Sequence, residues 1–403
     1  MAEDKPRFGG SLLTSDVNIG NQTGVEWTEK IIAELKSMPN VTVKNRSQVF
    51  GYYDHNMLVM SERISDHLPK TQKYLPKQRL WYIRANEVLI SSGSIERPLV
   101  FGNNDTPGVM LSSAAKEYMK VYGVLVGKKP LIFTNNDSGY ETAIEFKKNG
   151  VNPIILDTRS NPSSDIITEA KNLNIEIKFS YVVVAAKGYK KVKSADIAKI
   201  SEDKKELFTI ENIECDCICV SGFWTPSIHL ASQSGNKSKF NEKIDAFVPD
   251  KSKQQENTIG SANGIFTLEE TIKDAFEKGF DVSNKITEKN NKISVPTVVE
   301  KKSTDHDKFW CVPLPKGKSY KRFLDFQNDV AVSDIELALR EGFRSIEHVK
   351  RYTTLGMATD QGKTSNLNGL QLVSDIENKV VPQVGHTTFR PPYTPVSIGA
   401  IVG

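Results

Sequence analysis

The sequence predicts an α/β fold with two βαβ-type domains, the second inserted into the first, followed by a small helical module. Three observations predict this fold. An apolar run at residues 131–133, a helical pattern at 140–148 and a second apolar run at 154–156 follow the order of a βαβ unit. A return strand at 215–220 leads the chain back to the first domain. Helical patterns with start and stop signals follow a long polar stretch near the C-terminus.

The first domain is predicted to contain one amphipathic helix and several short strands. The four-residue spacing of Trp27, Ile31 and Leu35 predicts a helix over residues 25–38 that ends before Pro39. The other elements predicted here are strands at 41–43 and 48–53, a strand pair at 80–85 and 88–91, and a helix at 112–122 that Gly123 ends.

The N-terminal segment has the residues expected near a nucleotide. In a dinucleotide-binding βαβ unit, an acid about 20 residues past the glycine loop accepts hydrogen bonds from the adenosine ribose. Glu3 and Asp4 fit that acid, and the pair Gly9-Gly10 lets the main chain pass close to a cofactor. The alternative is a solvated tail.

Two further glycine turns are candidates for contact with a cofactor. Ser92-Gly93-Ser94 follows the strand at 88–91, where small residues let the main chain abut a ligand; a plain tight turn is the alternative. Residues 259–264 place two glycines before a helix at 268–278, whose free N–H groups attract negative charge. An ordinary strand-to-helix turn is the other interpretation.

The second βαβ unit lacks the residues that cradle a pyrophosphate. Residues 134–139 occupy the place of a Gly-x-Gly-x-x-Gly turn, but only Gly139 of its glycines is present. Thr134 and Asn136 carry Cβ atoms where the main chain would approach a phosphate. We therefore do not expect this unit to bind a dinucleotide.

These patterns give the following domain limits. Residues 1–125 together with 215–285 form the first dinucleotide-binding domain, and 126–214 form the inserted second one. Residues 286–322 are a linker, within a polar stretch that begins near Asp281. Residues 323–390 form the small helical domain, in which Ser333 to Glu336 is a capping box, and 391–403 begin a connection to a further domain.

Composition excludes several classes of function. Lys and Arg total 53 against 49 Asp and Glu, and this net charge of +4 carries no block of one sign that would favour nucleic acid. Neither a signal-peptide pattern nor an apolar run of membrane-spanning length is present in the sequence. We expect a cytoplasmic protein that neither crosses a membrane nor binds nucleic acid.

Cysteine and histidine do not have metal-ligand spacing. Cys215, Cys217 and Cys219 alternate along one predicted strand and would share one face, while Cys311 lies far away in sequence. We favour small buried side chains over a metal site, although ligation by these thiols is possible in principle. The six histidines are scattered, and we predict no metal and no catalytic cluster.

Several long segments resemble the alpha-subunit family of heterotetrameric sarcosine oxidases. The longest are residues 325–330 (DFQNDV), 340–345 (REGFRS) and 350–366 (KRYTTLGMATDQGKTSN). Shorter segments agree in the same order along the chain: residues 8–13, 49–55, 96–101, 133–138 and 388–395. The resemblance covers essentially the whole chain.

The resemblance implies an FAD/NAD(P)-binding two-dinucleotide-domain fold of the glutathione-reductase-like type. It also implies that the helical module is similar to the 2Fe–2S domain of bacterioferritin-associated ferredoxin (BFD). The four cysteine ligands of that domain are absent from this sequence, so we expect no cluster.

The resemblance further implies an oxidoreductase that is active only as part of a complex. The family demethylates sarcosine oxidatively to glycine, reduces oxygen to hydrogen peroxide, and forms 5,10-methylenetetrahydrofolate. Its beta subunit carries FAD and, near the contact with the alpha subunit, covalent FMN; gamma and delta subunits complete the complex. The alpha subunit binds NAD in its dinucleotide domain and tetrahydrofolate in a C-terminal domain.

The family's NAD contacts can be carried over to matching positions in this sequence. These implied contacts are Glu3, Asp4 and Lys5 at the end of the second strand, Ser11 after the glycine pair, Val49 on the adenine side, and Ser261, Phe266 and Leu268 around the last glycine turn.

Two other functions remain as hypotheses beside a sarcosine oxidase alpha-subunit fragment. One is a freestanding NADH-dependent flavin oxidoreductase, which the degraded second glycine turn disfavours. The other is a noncatalytic scaffold that offers a binding surface to a flavin-bearing beta subunit.

The resemblance implies that this sequence is an internal fragment, which we expect to begin after the family's first strand and glycine loop and to stop where its folate domain begins. The missing strand is central to a parallel sheet, and the loop forms the floor of the pyrophosphate site. We therefore predict that the isolated chain binds NAD poorly when titrated in a calorimeter. Micromolar affinity, about 8 kcal/mol of binding free energy, would contradict this prediction.

Overall fold

The computed structural model describes residues 1–70, 73–287, 294–300 and 305–402. Its N-terminal part holds one long helix and several short strands. A capping box fixes the start of the helix: the Thr23 hydroxyl accepts the Glu26 N–H, and the Glu26 carboxylate accepts the Thr23 N–H. The elements are a short 3-10 helix at Gly10–Leu13, β1 (Asn18–Ile19), β2 (Gln22–Thr23), α1 (Gly24–Ser37), β3 (Ser47–Tyr53), β4 (Met57–Arg63), β5 (Gln78–Arg84), β6 (Val88–Ile90) and β7 (Ser94–Glu96).

The second part alternates strands and helices before an antiparallel sheet of three strands. Gly123 adopts a left-handed conformation, with φ of 63°, and ends the second helix as predicted. The elements are β8 (Val109–Leu111), α2 (Ser112–Tyr122), β9 (Pro130–Thr134), α3 (Ser138–Lys148), β10 (Ile154–Asp157), α4 (Asp165–Asn172), β11 (Glu176–Phe179), β12 (Tyr181–Gly188), β13 (Val192–Ile200) and β14 (Leu207–Glu214).

The chain then returns through short strands to a long helix. This helix continues through Gly279, where the sequence predicted its end, and a Cβ at that position would meet no atom within 4 Å. The elements are β15 (Cys217–Ser221), β16 (Trp224–Pro226), α5 (His229–Gln233), β17 (Ser238–Asn241), β18 (Ala246–Pro249), β19 (Glu256–Thr258), a 3-10 helix at Gly260–Asn263, α6 (Leu268–Thr287) and β20 (Val298–Val299).

The C-terminal part is mainly helical, as predicted. Its helices bury apolar side chains against each other and against Val100 and Phe223 of the preceding parts, so that one core crosses the whole region. Helix α9 was not predicted from the sequence. The elements are β21 (Phe323–Asp325), β22 (Val330–Ala331), α7 (Val332–Arg340), α8 (Ile346–Thr353), α9 (Asn366–Glu377), α10 (Val381–Val384) and α11 (Ile398–Val402).

A five-stranded parallel sheet lies at the centre of the molecule, in the order β11-β10-β9-β15-β8. Strand β9 is buried at every position, which is typical of a parallel strand covered on both faces. Leu131 and Phe133 pack on the β12–β14 sheet, whereas Ile132 packs on the α2, α3 and α4 side. Strands β8 and β15 pair within this sheet, although the sequence analysis assigned their residues to the first domain.

Besides the end of α6, four local predictions are wrong. Residues 41–43 form no strand. Helix α7 begins at Val332, where the Asp334 carboxylate accepts the Ala331 N–H at 2.8 Å, so the capping box predicted at Ser333 does not form.

The strands predicted at 80–85 and 88–91 do not pair with each other: β5 pairs with β4, and β6 lies parallel to β19. Cys215 does not share a face with the other two thiols, because it precedes β15 and packs in the core beside β12 and β13. Cys217 and Cys219 do share a face, with their sulfur atoms 3.4 Å apart.

The described residues contain no grouping of three or more histidine, cysteine or acidic side chains suited to a metal ion. Among the described helices, none combines the length and apolarity that a membrane crossing requires.

Candidate functional site

Two turns meet where β6 and β19 end side by side, at the strand ends where a ligand crevice is expected in such a fold. Because these neighbouring strands are parallel, the turns that follow them, Ser92-Gly93 and Gly260-Ser261, meet at one edge. A Cβ added at Gly93 would lie 4.0 Å from the Ser261 hydroxyl, and the positive φ of Gly93, 75°, favours glycine there. Ser227 joins this edge: its N–H donates to the Gly93 carbonyl at 3.0 Å, and its carbonyl accepts the Ser92 hydroxyl at 2.7 Å.

The C-terminal segment reaches the same crevice through Tyr393. The Tyr393 hydroxyl bonds the Ser227 hydroxyl at 2.7 Å, and its N–H donates to the Phe50 carbonyl at 2.6 Å. Burial raises the pKa of Tyr393, and the Asp4 carboxylate raises it further. The Lys363 ammonium lies 4.0 Å from the centre of the Tyr393 ring. We call the space bounded by Asp4, Gly93, Ser227, Ser261 and Tyr393 the first crevice.

The structure places the predicted N-terminal residues beside β3. Glu3 donates its N–H to Lys44 and accepts the N–H of Ser47, the first residue of the strand that carries Val49. Burial, followed by the neighbouring Asp4 carboxyl, raises the pKa of Glu3 to about 7. The Lys5 ammonium is engaged in an ion pair with Glu117 at 2.7 Å. Asp4 is exposed, so its carboxylate is accessible at the rim.

The other predicted contacts are divided among three places. Ser11 is exposed on the 3-10 turn, and its neighbour Leu12 packs in the same cluster as Leu268. Ser261 faces Gly93, as described above. Phe266 instead packs edge-to-face on Phe223, with ring centres 5.3 Å apart, in the core shared with the helical module.

The glycine turn before α6 is less open to anions than its sequence indicates. The Gly260 N–H donates to the Asp274 carboxylate at 2.7 Å, and the Leu268 N–H donates to the Glu300 carboxylate. Acidic side chains of the chain itself therefore occupy two main-chain donors of this turn. The Ser261 side chain remains as the polar group directed toward Gly93.

The second crevice, at the carboxyl ends of β9 and β10, is filled by the segment 305–309. Asn136 forms an antiparallel bridge with His306, and the Asn135 amide donates to the carbonyls of Asp307 and Phe309 at 2.8 and 3.2 Å. The Asp307 carboxylate accepts the Thr158 hydroxyl at 2.9 Å. The sequence predicts a linker here; in the structure this segment covers the turn where a pyrophosphate would bind.

A buried guanidinium lies beneath this segment. Arg159 contacts Asp137 and Asp157 at 2.9 Å each, and the Tyr140 hydroxyl donates to Asp157 at 2.7 Å. Burial raises the pKa of the Asp157 carboxyl, while Arg159 and Tyr140 oppose that shift. Asp157 ends β10, where a ribose-binding acid would stand, and its oxygens are occupied by the chain's own donors. The expectation that this unit does not hold a dinucleotide agrees with this geometry.

Sequence reasoning did not identify Ser227, Lys363 or Tyr393 as residues of the first crevice. They come from three segments that are far apart in sequence and meet only in the folded chain. Lys363 and Tyr393 do lie in two of the segments that resemble the family, which was the only available signal.

We predict that Arg159→Met lowers the free energy of unfolding by roughly 3–5 kcal/mol, because it leaves two buried carboxylates without their cation. Denaturant titration would measure the loss. Arg351→Met is the control, since its ion pair with Glu347 at 3.3 Å is largely exposed and is expected to be worth less than about 1 kcal/mol. Equal, small losses in both variants would contradict the prediction.

Comparison with known proteins agrees with the resemblance seen in the sequence. Residues 319–403 match the sarcosine oxidase A3 domain. The chain is 36% identical over 397 residues to sarcosine oxidase subunit alpha of Rhizobium meliloti (strain 1021), covering 98% of this chain and 39% of that protein. It is 31% identical over 414 residues to sarcosine oxidase subunit alpha of Corynebacterium sp. (strain P-1), covering 100% of this chain and 42% of that protein.

A solved structure shows the same fold. L-proline dehydrogenase from P. horikoshii superposes with a TM-score of 0.63 at 19% identity, covering 99% of this chain and 73% of that one. The predicted α/β two-dinucleotide-domain fold is thereby confirmed. The chain spans about two fifths of the length of the curated relatives that it matches. Over that stretch, the chain belongs to the family of sarcosine oxidase alpha subunits.

Proposed function

We propose that this chain is the NAD-binding and beta-subunit-facing part of a sarcosine oxidase alpha subunit, acting in the cytoplasm. The main support is that the match to such subunits extends over the whole chain. The segment 305–309 of the chain itself fills one of the two crevices, and none of the proposed NAD contacts belongs to that filled crevice. Phe266 lies in the core shared with the helical module.

NAD is proposed to bind along the first crevice. Asp4 would accept hydrogen bonds from ribose hydroxyls, because its carboxylate is exposed at the end of a segment that lies beside β3. Gly10 has a positive φ of 52°, and a Cβ there would meet no atom within 4 Å, so the main chain at this turn is open to a ligand. The full set of proposed contacts is Glu3, Asp4, Lys5, Ser11, Val49, Ser261, Phe266 and Leu268.

The reaction itself is proposed to occur with partner subunits. The complex would oxidise sarcosine to glycine with oxygen as acceptor, releasing hydrogen peroxide and forming 5,10-methylenetetrahydrofolate. FAD and FMN would be held by the beta subunit or at its interface, tetrahydrofolate by a C-terminal domain, and gamma and delta subunits would complete the assembly. This chain would contribute NAD binding and a docking surface.

The filled second crevice argues against a freestanding NADH-dependent flavin oxidoreductase. Such an enzyme needs a second site for the hydride donor, with main-chain N–H groups turned toward a pyrophosphate. Here Asn135, Asn136 and Asp307 occupy that place.

Co-expression with the flavin-bearing partner subunits tests the proposal. We expect a tag on this chain to recover a yellow complex that forms hydrogen peroxide when sarcosine is added. In that complex, Asp4→Asn should weaken NAD binding about tenfold, since a hydrogen bond to a charged group contributes about 1.5–3 kcal/mol. Asp54→Asn, in the exposed turn between β3 and β4, is the matched control and should bind normally.

Two outcomes would contradict the proposal. Recovery of the chain without a flavin-bearing partner would contradict the proposed assembly. Equal NAD affinity in the Asp4→Asn and Asp54→Asn variants would contradict the proposed NAD site. A yellow chain that oxidises NADH on its own would support the reductase instead.

A further inference from the structure

A small, partly open cavity lies between α5 and the helical module. Its volume is about 40 Å³, which is room for roughly three water molecules or for one carboxylate group. Apolar side chains form much of its wall. The polar groups on the wall come from Thr225, His229, Lys363, Asn366, His386 and Thr387.

Several polar side chains on this wall form no hydrogen bond with the described residues. His229 is only 5% exposed, and its ring nitrogens make no hydrogen bond of normal geometry with the described residues, although the main chain of Gln361 lies near one of them. The hydroxyls of Thr225 and Thr387 are also buried without a hydrogen-bond partner among the described residues. Buried polar groups are rarely left without hydrogen bonds, and here four such side chains line one cavity, because the Oδ1 of Asn366 also lacks a partner among the described residues.

The surroundings of His229 keep its ring neutral and make the cavity electropositive. Burial lowers the pKa of His229 to about 3, Lys363 and Lys350 contribute to the shift, and the nearby main chain of Gln361 opposes only part of it. A neutral imidazole has one N–H to donate. Burial also lowers the pKa of Lys363, which Asp360 and Asp4 partly oppose.

Lys363 is the cation of this wall. No described carboxylate lies within ion-pair distance of its ammonium group, which instead lies over the Tyr393 ring. The residues that line the cavity include no aspartate or glutamate. An anion would therefore find one ammonium group, one imidazole N–H and two hydroxyls on this wall. The Oδ1 of Asn366 is an acceptor there, and no carboxylate lines the cavity.

We propose that this cavity binds a small carboxylate anion, held by the Lys363 ammonium, the His229 ring and the Thr387 hydroxyl. The volume fits the carboxylate of formate or acetate. A zwitterionic amino acid is disfavoured, because its ammonium group would lie among Lys363 and apolar side chains with no acid to pair with. The site is thus distinct in chemistry from one for sarcosine or glycine.

Titration of the full chain with sodium formate tests the proposal, with sodium chloride at equal ionic strength as reference. We expect saturable heat of binding and a saturable rise of Tm with formate only. Lys363→Met and His229→Phe should each weaken formate binding at least tenfold, and Lys363→Arg, which keeps the charge, should restore most of the affinity. Lys316→Met and His348→Phe are matched controls at exposed positions and should bind like the unmodified chain.

The state of the His229 ring gives a second measurement that does not depend on stability. A bound carboxylate should raise the pKa of His229, which NMR of ring-labelled histidine would detect as a formate-dependent shift absent from Lys363→Met. No saturable binding, or equal binding in Lys363→Met and Lys316→Met, would overturn the proposal. The readouts need neither NAD nor a partner subunit, so failure here is distinct from failure of the proposed function.

Discussion

Arg159 is the residue on which the geometry of the second crevice depends. Its guanidinium joins Asp137, from the turn after β9, to Asp157, at the end of β10, and all three side chains are almost fully buried. Burying three charges is costly, and the cost is offset only when each oxygen and N–H has a partner. The network therefore fixes the edge of the parallel sheet in one geometry, and this geometry accepts the segment 305–309 instead of a dinucleotide.

The same segment continues into the junction between the domains. Val100 donates its N–H to the Trp310 carbonyl and accepts the N–H of Val312, each at 2.8 Å. Arg97 stacks over Trp310 at 4.3 Å and donates to the carbonyls of Gly222 and Asp245. A stretch that covers the second crevice is thus also part of the core that carries the helical module. The filled crevice is therefore structural, and the proposed ligand sites are the first crevice and its neighbouring cavity.

The sequence was sufficient to predict the elements that depend on neighbouring residues in the chain. Helix α2 matches its predicted limits, and the order β9, α3, β10 follows from the alternation of apolar runs and helical spacing. It was insufficient to predict which strands pair when the paired strands are far apart in sequence. The partner of β6 is β19, and no local pattern around Asn86 and Glu87 distinguishes that pairing from a hairpin. Segment 305–309 is polar in composition, and two of its side chains, His306 and Asp307, bond the buried Asp245 and Thr158. Composition alone does not distinguish such a segment from one exposed to solvent.

The candidate site shows the same division. The acids of the N-terminus and the glycine turns could be found from residue type, because backbone conformation and ribose contacts require those types. The positions of Ser227, Lys363 and Tyr393 could not be predicted in this way, because their residue types are common on any protein surface. They come together only through contacts between distant segments. Predicted contacts such as Phe266 were placed by position along the chain, and the fold directs that ring into the core.

Hydrogen exchange of segment 305–312 tests the central claim most directly. The amides of Asp307 and Val312 donate to Asn135 and Val100 at 2.9 and 2.8 Å, so a segment that fills the second crevice should exchange as slowly as the amides of β9. Exchange of these two amides at the rate of exposed turn residues such as Lys205 would contradict the account, because it would show that the second crevice is open.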